Sequence, residues 1–147
     1  MDRDTKLPMS TERLVPHRHP FLLVDRLIEF SGESGVVESY LSHDNLFISE
    51  DGHLKEIAMI EILAQSAAAV KGYSDLQQGK EISMGFLVDI RGFNFMKLCN
   101  EGDTIQTTIK ITKSFSGFSL INGTLVCRGE EVATGSIKLW VPDEGQK

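Results

Sequence analysis

The chain has 147 residues, 41% of them hydrophobic and 24% charged, enough to bury the core of one domain and too apolar for a disordered chain. Its net charge of −6 excludes the basic excess of a general nucleic-acid binder, and no apolar run approaches the roughly 20 residues of a membrane span. Two cysteines, Cys99 and Cys127, cannot build a disulfide framework and lack metal-ligand spacing, so a reduced, soluble, cytoplasmic domain without metal or cofactor is the expectation.

Residues 1–9 are polar, with no apolar stretch of a signal peptide behind them, and read as a loose tail, as do residues 142–147. Ser10 caps a short helix through Leu14, which Pro16 and Pro20 stop. Phe21–Phe30 reads as a strand and Gly35–Leu41 as its hairpin partner across Ser31-Gly32. A polar loop from His43 to Gly52 follows, anchored by Leu46-Phe47-Ile48. Lys55 to Tyr73 is then a helix, with Lys71-Gly72 as its stop signal. Between Ile57 and Val70 its only polar side chains are Glu61, Gln65 and Ser66, so it is apolar nearly all round and predicts burial. After a connector, four strands remain: Ile82–Phe95, Thr104–Phe115, Phe118–Arg128 and Glu131–Val141, joined by turns at Gly102, Gly117 and Gly129. The economical architecture is α+β, one antiparallel sheet wrapping one long helix, in a single domain spanning 1–147.

Glu61 is the residue that needs a reason. An ionised carboxylate in apolar surroundings is paired, protonated or useful, and desolvation suits it to acid–base work. Gln65, one turn on, shares its face and is placed to hydrogen-bond it. A wet stripe on the helix, or a lysine or arginine partner, stands as the alternative account. Of the four histidines, His53 precedes the helix that carries Glu61. Eight helical residues set the two about 12 Å apart, so they meet only if the loop folds back or across a dimer. His17 and His19, between Pro16 and Pro20, read as structural, tying the first turn to the sheet. Phe93, Phe95, Phe115 and Phe118 either line an apolar tunnel or belong to ordinary core or interface.

Leu14-Val15-Pro16-His17-Arg18-His19-Pro20-Phe21-Leu22-Leu23-Val24-Asp25-Arg26 resembles the opening of the 3-hydroxyacyl-ACP dehydratases of fatty acid synthesis. Ile60-Glu61-Ile62-Leu63-Ala64-Gln65-Ser66 resembles their helix segment Leu-Glu-x-Met-Ala-Gln, and residues 85–141 follow their strand, Gly-Asp turn and meander. The resemblance covers about residues 12–141. It implies the hotdog fold, dimers whose sheets join, and an interfacial site with a histidine from one chain and an acid, here Glu61, from the other. This chain departs from the family in lacking Gly-His-Phe-Pro-Gly. The family's histidine stands 14 positions before the acid, where Phe47 lies here. The shortened loop, Asp51-Gly52-His53-Leu54, is more similar to the dehydratase-like proteins of aryl polyene and related clusters.

The expected reaction removes water from a 3-hydroxyacyl thioester to give a 2-enoyl thioester. His53 is the expected base, chosen by proximity, and Glu61 the acid, oriented by Gln65. The backbone N–H groups of Glu56 and Ile57 at the helix start would stabilise the thioester oxygen, and Phe93 and Phe95 would line the acyl cleft. The expected partners are an acyl carrier protein or coenzyme A thioester and a second hotdog chain, identical or not. A non-catalytic partner subunit of a heteromeric dehydratase, an acyl-thioester hydrolase and a pure acyl-binding module are the rival readings.

Overall fold

The computed structural model describes residues 5–142. Strand β1 (Met9–Ser10) leads into a single 3₁₀ turn at Thr11–Arg13, where the Ser10 hydroxyl accepts from the Glu12 N–H. Strands β2 (Arg26–Ser31) and β3 (Ser34–Tyr40) form a hairpin whose turn uses Gly32 at φ 62°, a conformation free of Cβ strain only for glycine. Helix α1 (Glu56–Gln77) is followed by strands β4 (Phe86–Phe95), β5 (Thr104–Phe115), β6 (Phe118–Cys127) and β7 (Glu130–Trp140). All pairings are antiparallel, in one seven-stranded sheet of order β1-β2-β3-β5-β6-β7-β4. No helix among the described residues is long and apolar enough to cross a membrane.

Period-2 alternation on β5, β6 and β7 puts Ile105, Ile109, Ile121, Leu125, Ile137 and Leu139 on one buried face. Helix α1 meets this core with Met59, Ile62, Leu63, Val70 and Tyr73. Each such side chain contributes about 1.5–3 kcal/mol on burial. Gly123 on β6 lets the helix come close, because a Cβ there would lie 2.4 Å from Leu63 Cδ1.

Five expectations change. The Phe21–Phe30 strand begins only at Arg26, because the amides of Phe21 and Leu22 turn back onto the Arg18 carbonyl and that of Leu23 bonds a helix side chain. The strand expected over Ile82–Phe95 starts only at Phe86, whereas Thr104–Phe115 is a strand as expected and the last two strands differ from expectation by one residue at their ends. Gly72 does not end α1. It is a contact glycine inside a helix that runs on to Gln77, and a Cβ there would lie 2.2 Å from the Leu14 carbonyl oxygen. The N-terminal tail is not loose where described, since Met9 is buried and pairs with Leu27, while residues 1–4 and 143–147 of the two tails lie outside the described residues.

The helix is also not buried all round. Ile57 is 61% exposed, and Glu61, Ala64 and Ala68 on the same stripe are half-buried. Beside this stripe, edge strand β4 presents Phe86, Leu87, Val88 and Ile90 as exposed apolar side chains. As the last strand of the sheet, β4 leaves one row of its backbone groups outside the ladder.

Candidate active site

Helix α1 places Glu61 and Gln65 one turn apart on its open stripe. The Gln65 side chain is 1% exposed and uses both ends of its amide. Its Oε1 accepts from the Leu23 N–H at 2.8 Å, while Nε2 donates to the Phe21 carbonyl at 2.9 Å and to Glu61 Oε2 at 2.8 Å. One buried amide therefore pins the irregular segment after Pro20 to the helix and orients the carboxylate. Glu61 itself is 42% exposed at its side chain, so within the single chain it lies along the open stripe rather than inside the core.

The histidine that meets Glu61 is His17. Its Nε2 lies 3.8 Å from Glu61 Oε2, beyond direct hydrogen-bond length. Its Nδ1 is shut away from solvent without a partner among the described residues. The loop that carries it is held from both sides. The Arg18 guanidinium donates to the carbonyls of Glu12, Val15 and His17, and the buried Thr11 hydroxyl donates to the Val24 carbonyl at 2.7 Å. His17, Glu61 and Gln65 open onto a cavity of about 230 Å³, floored by Ala64 and Ala68 and walled by Phe86, Leu87, Leu139 and Val141. A larger and more open cavity of about 560 Å³ adjoins it, sharing Lys71, Ser83 and Val141. Small side chains on the helix and apolar ones on β4 and β7 make a slot suited to an alkyl chain.

The other expected site residues fall elsewhere. His53 Nδ1 lies 2.6 Å from Asn100 Oδ1, and the two residues form an isolated β-bridge. His53 does not line the Glu61 cavity. Phe93 and Phe95 stack at 5.1 Å between ring centroids, and Phe93 fills the place a side chain at Gly135 would need. They pack against the core, and Phe86 and Leu87 take the wall position expected of them. Glu56 and Ile57 are exposed at the start of α1, where Lys55 provides no side-chain cap and the first N–H groups have no helical partner. Residue order alone hid His17. Pro16-His17-Arg18-His19-Pro20 reads as structural for both histidines, and only the approach of His17 to Glu61 separates it from His19.

Among the described residues no cluster of three or more histidine, cysteine or acidic side chains is arranged to hold a metal ion. Cys99 and Cys127 are buried thiols, and burial pushes Cys99 up to about 12, so it is no nucleophile.

The profile of the ApeP dehydratase family (ApeP-like) matches residues 9–147. A 3-hydroxyacyl-[acyl-carrier-protein] dehydratase FabZ of Syntrophomonas wolfei is 33% identical over 139 residues, 85% of this chain and 94% of that protein. The FabZ of Cupriavidus taiwanensis is 28% identical over 137 residues, 83% of this chain and 89% of that protein. Among solved structures, the dehydratase heterocomplex ApeI:P from Xenorhabdus doucetiae contains a chain that superposes with a TM-score of 0.86 at 22% identity, covering 94% of both. The motif order, the sheet-and-helix architecture and the match over nearly the whole length agree: this chain belongs to the ApeP-like dehydratase family.

Proposed function

We propose that this chain is a hotdog domain that removes water from a 3-hydroxyacyl thioester to give the 2-enoyl thioester. The observation that carries the reading is the Glu61 carboxylate, held by Gln65 at the mouth of a narrow apolar slot, with an imidazole facing it. Expelling the C3 hydroxyl needs a proton donor, which Glu61 in its acid form supplies. Losing the C2 proton puts charge on the thioester oxygen, and the free N–H groups of Glu56 and Ile57 at the start of α1 stabilise it. The slot between Ala64, Ala68 and the β4–β7 wall holds the acyl chain away from water. The relatives named as acyl-carrier-protein dehydratases support a carrier-bound substrate in the cytoplasm, with coenzyme A as the other possible carrier. The exposed apolar edge of β4 supports pairing with a second hotdog chain, which would cover the Ile57–Ala68 stripe and complete the wall of the slot.

The test is turnover of 3-hydroxyacyl-ACP, followed as enoyl product. Wild type should dehydrate it and Glu61→Gln should lose roughly 10²- to 10⁴-fold in kcat. Full activity in Glu61→Gln would remove the acid from the mechanism.

The same β4 edge supports a second reading, in which this chain is the supporting subunit of a heteromeric dehydratase. The absence of Gly-His-Phe-Pro-Gly and the heteromeric setting of the structural relative favour it. It predicts co-purification with a second hotdog chain and no loss of the complex's activity on Glu61→Gln.

A further inference from the structure

We propose that this chain docks on an anionic lipid surface through the outer face of its sheet, a role separate from the dehydratase chemistry. Ile121, Ile137 and Leu139 turn to the core, so their neighbours along β6 and β7 turn outward. The ladder register then lines up Phe115, Phe118, Trp140 and Phe86 in one row, contributed in turn by β5, β6, β7 and β4. Trp140 has a ring on either side, with centroids 6.1 Å from Phe86 and 6.4 Å from Phe118. Phe115, at the hairpin tip, is 75% exposed. Behind the rings, the next row is Lys113, Leu120, Lys138 and Asp89, and the one after it holds Lys110 and Arg91 at its ends. Arg91 pairs with Asp89 at 2.7 Å, while Lys110, Lys113 and Lys138 form no ion pair among the described residues. Lys138 instead sets its Nζ 5.4 Å from the Phe118 ring centroid. A chain of net charge −6 therefore gathers unpaired cations directly behind an exposed aromatic row.

The order of the layers selects the partner. A protein interface sets an apolar centre inside a polar rim. Here the rings lie at the end of the sheet, beside the Ser116-Gly117 turn, and the charges stand on one side of them only. Beyond the lysines the same face becomes neutral and polar, with Thr108, Thr124 and Thr134 in register. Rings first, ammonium groups about 7 Å behind them and neutral hydroxyls last is the profile of a surface that meets a bilayer, with aromatics at the acyl boundary and lysines at the phosphate layer. A second copy stacked face to face would set lysine against lysine. Pairing along the β4 edge would extend the sheet sideways and leave this face open. Phe115, Phe118 and Trp140 also rim the cavity of about 560 Å³ that adjoins the slot, so docking would turn the open end of that cavity toward lipid.

Trp140 is the chain's single tryptophan, so its emission reads this face directly. The full-length protein is titrated with vesicles of phosphatidylcholine alone and of phosphatidylcholine mixed with phosphatidylglycerol, and bound protein is measured by sedimentation. Wild type should bind the mixed vesicles at least about tenfold more tightly than the neutral ones, with a blue shift of Trp140 emission, and high salt should release it. Lys110→Glu/Lys113→Glu should lose the preference for phosphatidylglycerol, and Phe115→Ser should weaken binding to the mixed vesicles. All three positions are exposed, so both variants should melt close to wild type, which separates lost docking from lost folding. Absence of binding to either vesicle, or equal binding by wild type and Lys110→Glu/Lys113→Glu, overturns the proposal. So does a Trp140 shift produced by apo acyl carrier protein and not by vesicles, which would give the face to an acidic protein. Shielding of Trp140 from acrylamide in the vesicle-free protein, relieved on dilution, would place a second copy there and overturn it as well.

Discussion

Replacing Gln65 by leucine removes the joint between the irregular segment and the helix while keeping side-chain size and helix propensity. The Leu23 N–H is left without its acceptor in a buried position, which costs about 1–3 kcal/mol. The Phe21 carbonyl belongs to an exposed residue and regains water, so its lost bond counts for about 0.5–1.5 kcal/mol at most. The bond to Glu61 adds little to stability because that carboxylate is nearly half exposed. The sum is roughly 2–4 kcal/mol, or a fall in melting temperature of roughly 5–15 °C for a chain of this length. Thermal unfolding followed by circular dichroism measures it, and turnover on the same preparation reads the second effect. Because the loop that carries His17 and the carboxylate of Glu61 both lose their tether, kcat should fall at temperatures where the variant is fully folded. A Gln65→Leu protein that melts with wild type and turns over normally would refute the idea that this amide organises the site.

Gly72→Ala raises helix propensity by about 1 kcal/mol yet drives a methyl group onto the Leu14 carbonyl oxygen, a backbone atom that cannot rotate away. A net loss of about 1–3 kcal/mol in urea unfolding is expected, and a stabilised variant would show that the contact is absent. Cys99, with its thiol raised to about 12 and both cysteines buried, predicts that Ellman's reagent finds no fast-reacting thiol in the folded protein at mildly alkaline pH, and both cysteines once guanidinium unfolds it. Rapid labelling of the native chain would contradict that burial. Replacing Leu87 in the slot wall by tryptophan should raise KM for long acyl substrates more than for short ones, and equal effects on both would place the acyl chain elsewhere.

The meander was legible because its signals are local. Alternation along Thr104–Phe115 and turns at positive-φ glycines define strand and hairpin within a few residues of each other. The stop assigned to Gly72 failed for the opposite reason. A glycine is chosen for a free backbone or for a close neighbour, and its neighbour, Leu14, is 58 positions away in the chain. The Phe21–Phe30 run has strand composition throughout, but its first half is claimed by Gln65, a competitor that no local pattern displays. Glu61 and Gln65 were found because an apolar helix makes its few polar residues conspicuous. His17 was not, because its meaning lies in what faces it.

By itself, residue order determined the class of the fold, the long apolar helix, the acid it carries and the family to which the chain belongs, since periodicity, turn chemistry and motif spacing are properties of contiguous residues. Only the tertiary structure decided which histidine faces that acid, which wall closes the slot and how far the helix is covered. Those are distances between segments far apart in the chain, fixed by the packing of the helix against the sheet and by single contacts such as the Gln65 amide, and short-range pattern carries no information about them.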